Sequence, residues 1–197
     1  MKETSGFSRR QFIKGSGAAA AATALGTAAT EAVAKDKAGA QVISGWTTIT
    51  LDVNGKSREV KVEPRTTLLE ALRYQLDLTG AKPVSADGSS GASTVLIDGK
   101  PAMASTTLAL AARGKKIQTA ESLGGAKPDA VPTAFHHHDA EQCGFCTPGF
   151  VVAVRAFLNK NPNATEEQIR SGLNGNICRC GTYANVIQAA MSIVKGG

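Results

Sequence analysis

The sequence predicts an α+β chain: a small sheet crossed by one helix, followed by an all-α half. Three observations lead there. Residues 46–62 alternate in character on either side of an Asn-Gly pair, as a β-hairpin does. Leucines then recur at helical spacing from Leu68 to Leu76. Beyond a Gly/Pro/Ala-rich stretch only helix signals remain, and all four cysteines of the chain lie in that second half.

The first residues belong to neither half. Ser8-Arg9-Arg10-Gln11-Phe12-Ile13-Lys14 is a twin-arginine pattern, an Ala/Gly-rich apolar run follows from Gly15 to Ala29, and Ala32-Val33-Ala34 supplies an A-x-A cleavage site. Residues 1–34 are therefore expected to be a twin-arginine signal peptide, and the mature product periplasmic. The apolar run is too short and too rich in alanine for a stable membrane span. Residues 35–45 read as a flexible leader. Residues 1–34 hold Lys2, Arg9, Arg10 and Lys14 against Glu3 and Glu31, so the formal charge of +6 falls to +4 without them. No basic run remains, which argues against a nucleic-acid partner.

The first domain is expected over residues 46–122. Thr47, Ile49, Leu51 and Val53 form the buried set of a strand, Asn54-Gly55 the turn, and Arg58 to Val62 the returning strand. Pro64 stops it. A helix follows from Thr66, with Leu68, Leu69, Leu72 and Leu76 on one face. Thr94 to Ile97, an Asp98-Gly99 turn and Pro101 to Met103 give a second hairpin, and Lys115 to Thr119 a last strand. A hairpin, a helix across the sheet and further strands is the layout of a β-grasp fold.

Residues 123–132 read as a linker, and residues 133–197 as a helical domain. Thr147-Pro148-Gly149 opens a helix from about Phe150 to Lys160, since proline is tolerated where the first N–H groups lack partners. Thr165 and Gln168 stand at capping-box spacing for the next helix, to about Leu173. Thr182 caps a last helix whose Val186, Ile187, Ala190, Ile193 and Val194 make an apolar stripe. With the stretch before Cys143, these make four helices around a cysteine-lined pocket.

Cys143-x2-Cys146 and, after 31 residues, Cys178-x-Cys180 form a four-thiolate set. Such a set completes one [2Fe–2S] cluster or one tetrahedral zinc. In an oxidising compartment two disulfides are a third outcome. Three consecutive histidines, His136, His137 and His138, point about 100° apart on a helix, so they do not converge on one ion and read as solvated. No Ser/His/Asp arrangement or paired carboxylate marks a catalytic site.

Gln142-Cys143-Gly144-Phe145-Cys146-Thr147-Pro148-Gly149 and Asn176-Ile177-Cys178-Arg179-Cys180-Gly181 resemble the motifs of the small iron–sulfur subunits of the xanthine dehydrogenase/aldehyde oxidoreductase family of molybdenum hydroxylases. The resemblance runs from Trp46 to the C-terminus. It implies an N-terminal β-grasp, 2Fe-2S ferredoxin-like domain and an all-α four-helix [2Fe-2S]-binding domain. It also implies that Cys143, Cys146, Cys178 and Cys180 hold one [2Fe-2S] cluster. Gln142 and Cys180 then lie near the pterin of a molybdenum cofactor in a separate large subunit, and Arg179 pairs with the cluster or contacts that subunit. The implied role is electron transfer from aldehyde or N-heterocycle oxidation in the partner, towards a FAD subunit or a cytochrome. Substrate contacts lie in the partner.

One departure from the family pattern is large. The front domain of the family carries C-x4-C-x2-C and a fourth cysteine as plant-type cluster ligands. Here Ser85, Ser90, Ser93 and Ser105 stand at that spacing, S-x4-S-x2-S with the fourth 12 residues on. With 13 serines in 197 residues, chance coincidence at all four positions is negligible. A serine hydroxyl stays protonated where a thiolate binds iron, so the first cluster site is expected to be vacant and residues 82–93 mobile. Val84 and Ala86 also replace residues that the family usually keeps small or polar.

Overall fold

A computed structural model describes residues 42–196; the twin-arginine stretch, the cleavage site at Ala34 and most of the leader lie outside the described residues. β1 (Thr47–Val53) and β2 (Lys56–Val62) pair antiparallel in the register Leu51 opposite Arg58. The turn between them is Asn54-Gly55, both at positive φ (54° and 73°), the geometry of a type I′ turn. Ile49, Leu51, Val53, Val60 and Val62 are buried, as the alternation predicts.

α1 (Leu68–Tyr74) starts at a reciprocal cap: Thr67 Oγ1 accepts from the Glu70 N–H, and the Glu70 carboxylate accepts from the Thr67 N–H. Seven residues is too short for a helix to persist alone in water. It holds because Leu68, Leu69, Ala71 and Leu72 bury against the sheet.

β3 (Thr94–Ile97) and β4 (Lys100–Met103) form the second hairpin, and β5 (Lys116–Gln118) the last strand. The sheet order is β2-β1-β5-β3-β4, with β5 parallel to β1 and antiparallel to β3. The last and shortest strand thus occupies the centre, anchored by the fully buried Ile117. Two short 3-10 segments, Ala109–Ala112 and Ala120–Leu123, were not expected from the sequence.

In the second half α2 spans Ala130–His137, starting three residues before Thr133. The cause is Asp129: its carboxylate accepts from the Val131 N–H at 2.8 Å and pairs with Arg155 at 2.8 Å. Pro132 sits within the first turn, where no intrahelical N–H is required. α3 runs from Thr147 to Lys160, also starting earlier than expected, with Cys146 at its N-cap. α4 (Glu166–Gly172) has the Thr165/Gln168 capping box, and α5 spans Tyr183–Gly196.

One apolar core lies between sheet and α1, around Leu51, Leu68, Leu72, Val95 and Ile117. A second lies among the helices, around Phe135, Phe150, Val154, Ile169 and Val186. Leu96 of β3 packs with Val152 and Ala156 of α3 in a third, small cluster that joins them. From Ile43 onward the chain is one compact unit.

Candidate metal centre

The four cysteines sit on two loops. Cys143 and Cys146 precede α3, whose N-terminal N–H groups and dipole favour negative charge at that end. Cys178 and Cys180 lie in the turn before α5. The fold brings the loops together so that the thiols adjoin, Cys146 beside Cys178 and Cys143 beside Cys180. The first pair is sheltered, with Cys178 buried; Cys143 and Cys180 are exposed. Among the described residues no three His, Cys, Asp or Glu side chains gather where one metal ion would sit.

The two sheltered thiols differ in acidity. Burial, then the hydrogen bond and charge of Cys178, push Cys146 from 9.0 up to about 12. Burial acts to raise Cys178 as well, but hydrogen bonds from the Thr182 side chain and backbone and from Cys146 bring it from 9.0 down to about 7. Thr182 Oγ1 donates to Cys178 Sγ at 3.3 Å, and the Cys178 N–H donates to the Tyr183 hydroxyl at 2.8 Å. Thr182 was expected only as a helix cap; its hydroxyl serves the thiol. Nothing in the sequence marked Tyr183 for this contact. Beside Cys146, Thr147 Oγ1 is buried without a hydrogen-bond partner.

The four serines also meet in pairs. Ser85 Oγ and Ser90 Oγ are 2.8 Å apart, and Ser93 Oγ and Ser105 Oγ 3.0 Å apart. Backbone N–H groups of Ser90 and Ser105 donate to the oxygens of Ser85 and Ser93 at 3.0 and 3.3 Å. The Lys82 N–H closes the loop on the Ala92 carbonyl at 2.9 Å. These are ties that the expectation of a mobile loop did not count on.

Serine loop and cysteine loop touch. The Ile177 N–H donates to the Ser90 carbonyl at 3.0 Å. Asn176, buried, donates through Nδ2 to the Gly91 carbonyl at 3.0 Å and to Thr94 Oγ1 at 3.4 Å. Gly91 itself has φ +68°, and a Cβ there would collide with the Gly175 carbonyl and lie 2.6 Å from Asn176 Nδ2. Gly149, in the first turn of α3, is equally close: a Cβ would lie 2.5 Å from the Gly91 carbonyl oxygen.

The remaining sequence candidates lie around this centre. Gln142 and Arg179 are exposed beside the cysteines. Lys82 Nζ lies 5.7 Å from the ring centroid of Phe145, itself half exposed. His136 and His137 are exposed at the end of α2, where His138 is the C-cap and its carbonyl accepts from Asn185 Nδ2 at 3.0 Å. His136 and His137 are therefore solvated, as expected, while His138 is half-buried.

Comparison with known proteins gives a consistent picture. The [2Fe-2S] binding domain family matches residues 119–191, and the twin-arginine translocation signal family matches residues 6–26. The nicotine 6-hydroxylase small subunit of Paenarthrobacter nicotinovorans is 39% identical over 143 residues, covering 73% of this chain and 87% of that one. The aldehyde oxidoreductase iron-sulfur-binding subunit PaoA of Escherichia coli O157:H7 is 39% identical, covering 92% of this chain and 85% of its own. In the crystal structure of quinoline 2-oxidoreductase from Pseudomonas putida 86, one chain superimposes with a TM-score of 0.71 at 39% identity, covering 78% of this chain and 99% of that one. These relatives are named as a small subunit of a hydroxylase and an iron-sulfur-binding subunit of an oxidoreductase. The chain belongs to the small iron–sulfur subunits of the molybdenum hydroxylase family.

Proposed function

We propose that this chain is the electron-transfer subunit of a periplasmic molybdenum hydroxylase that oxidises an aldehyde or an N-heterocycle. In this reading Cys143, Cys146, Cys178 and Cys180 hold its single [2Fe-2S] cluster. Ser85, Ser90, Ser93 and Ser105 mark a plant-type site that holds none. The β-grasp domain then spans residues 46–122, and the linker that starts at residue 123 gives way to the helical cluster domain at α2, which opens at Ala130. Gln142 faces the pterin of the large subunit, and a FAD subunit or a cytochrome takes the electrons. The subunit has no active site of its own.

The observation that carries the reading is the pairing of the thiols. A dinuclear cluster asks for two thiolates on each iron, and two pairs of cysteines on two loops fit that demand. A single tetrahedral zinc asks for four donors around one point, so the zinc-stabilised or cluster-less docking subunit is the weaker alternative. The unpartnered Thr147 Oγ1 beside Cys146 also suits a group that accepts hydrogen bonds.

Bound there, a [2Fe-2S] cluster supplies one-electron transfer. The protein's own residues do the rest: α3 directs its N-terminal dipole at Cys146, Thr182 and Tyr183 fix Cys178, and burial shelters Cys178 from water. With the serine positions unable to bind iron, electrons leave without a second cluster as relay, and transfer is impaired or rerouted.

Metal analysis with visible absorption and electron paramagnetic resonance of the reduced protein tests this. Two irons per chain and one [2Fe-2S] signal are expected. Four irons would remove the vacant site from the reading; stoichiometric zinc, or no metal with two disulfides, would overturn the cluster.

A further inference from the structure

We propose that the serine loop is retained as a positioning element for the cysteine centre, with Ser85 and Ser90 as positioning residues for the Cys146–Cys178 pair. The inference goes beyond the assignment of a vacant site, which leaves the loop without a role; its spectroscopic arm rests on the [2Fe-2S] reading.

A continuous path of short contacts joins the serine loop to the cysteine loops. The Ser85 and Ser90 hydroxyls, 2.8 Å apart, together with the Ser90 N–H on Ser85 Oγ at 3.0 Å, close the loop across five residues. That closure sets the direction of the Ser90 carbonyl, which takes the Ile177 N–H at 3.0 Å, one residue before Cys178. The next carbonyl, that of Gly91, takes Asn176 Nδ2 at 3.0 Å, two residues before Cys178. The same Gly91 carbonyl lies against Gly149, three residues after Cys146. Two consecutive carbonyls of the first half thus hold the backbone arm that presents Cys178, and the second of them lies against the arm that presents Cys146.

The burial pattern points the same way. Gly91, Ala92, Ser93, Gly149, Asn176 and Cys178 are all buried, so water does not replace the bond from Asn176 to the Gly91 carbonyl. Cys143 and Cys180, which have no such contact with the loop, are exposed. A loop freed of its metal would ordinarily collapse or open; here hydroxyl pairs take the place of a metal cross-link and hold the carbonyls in line. Serine suits this better than alanine, because one hydroxyl of the pair donates to the other and Ser85 Oγ also accepts the Ser90 N–H.

The test uses the full chain and two variants, Ser85→Ala/Ser90→Ala and Asn176→Ala. The first removes the hydroxyl pair and the second the buried amide, and neither touches a cysteine. Both are expected to keep wild-type iron content while the midpoint potential and the g values of the reduced cluster change. In metal-free protein both are expected to let iodoacetamide label Cys178 at least tenfold faster, located by mass spectrometry. Wild-type potential, g values and Cys178 labelling in both variants overturn the proposal. If the double variant does not fold, Asn176→Ala decides alone on the same criteria. Iron-free wild-type protein refutes the cluster reading, and the labelling rates still decide the positioning role.

Discussion

Thr182 Oγ1 donates to Cys178 Sγ at 3.3 Å, and that one hydroxyl is a main cause of the thiol's fall from 9.0 to about 7 against the opposing effect of burial. Because the folded value lies below the unfolded one, the contribution of Cys178 to the stability of the metal-free chain is present above pH 9. It is lost as pH falls through about 7. Cys146, pushed up to about 12 by burial and then by Cys178, behaves oppositely: its contribution is present below pH 9 and lost as pH rises towards 12. Thr182→Val is therefore expected to flatten the gain in melting temperature of the metal-free protein between pH 7 and 9. A profile parallel to wild type would show that the hydroxyl does not set this pKa. In the loaded protein the same variant is expected to lower the reduction potential, since a hydrogen bond to a ligand sulfur favours the more negative state.

Among the elements, the helix starts show how local chemistry sets boundaries. Asp129 caps α2 and pairs with Arg155 of α3, with side chains only 27% and 21% exposed, so one carboxylate starts one helix and docks it on another. Asp129→Ala is expected to cost about 2 kcal/mol in urea unfolding, the upper end for a lost cap. Asp129→Asn, which keeps the cap and loses the charge, is expected to cost less; equal losses would assign the effect to the ion pair. The loop at Gly91 is less forgiving. Gly91→Ala adds a methyl at φ +68° against the Gly175 carbonyl, and about 3 kcal/mol or more is expected from strain and displacement together. Urea titration of the metal-free variant measures it, and a change below about 1 kcal/mol would mean that the two loops separate easily.

On the scale of the whole molecule, the question is whether the two cores unfold together. Leu96, Val152 and Ala156 join them, and the loop contacts at Gly91 and Asn176 add a polar seam. One cooperative transition is expected, with Trp46 fluorescence reporting the sheet and far-ultraviolet circular dichroism the helices. Val152→Ala should lower the common midpoint by about 2 kcal/mol without separating the two probes. Separate midpoints in the wild type would show two independent folding units.

Much of this molecule was legible in its sequence because the signals were local. Asn54-Gly55, the Thr165/Gln168 cap and the leucines of α1 each depend on residues within a turn or two, and each stands in the structure where the pattern put it. The spacing of the four cysteines marked a four-thiolate set, and the structure brings its two halves onto adjoining loops. The sequence by itself therefore determined the α+β class, the export signal and the thiol set. Tertiary structure decided what crosses large separations. It put β5, the last strand, in the middle of the sheet, because only closure of the whole sheet selects its neighbours. It set Cys146 beside Cys178 and Cys143 beside Cys180, and gave the Thr182 hydroxyl to a thiol while the Thr182 carbonyl accepts the first bond of α5. It also set the buried Asn176 amide on the carbonyl of Gly91, 85 residues away, where no water reaches to satisfy it.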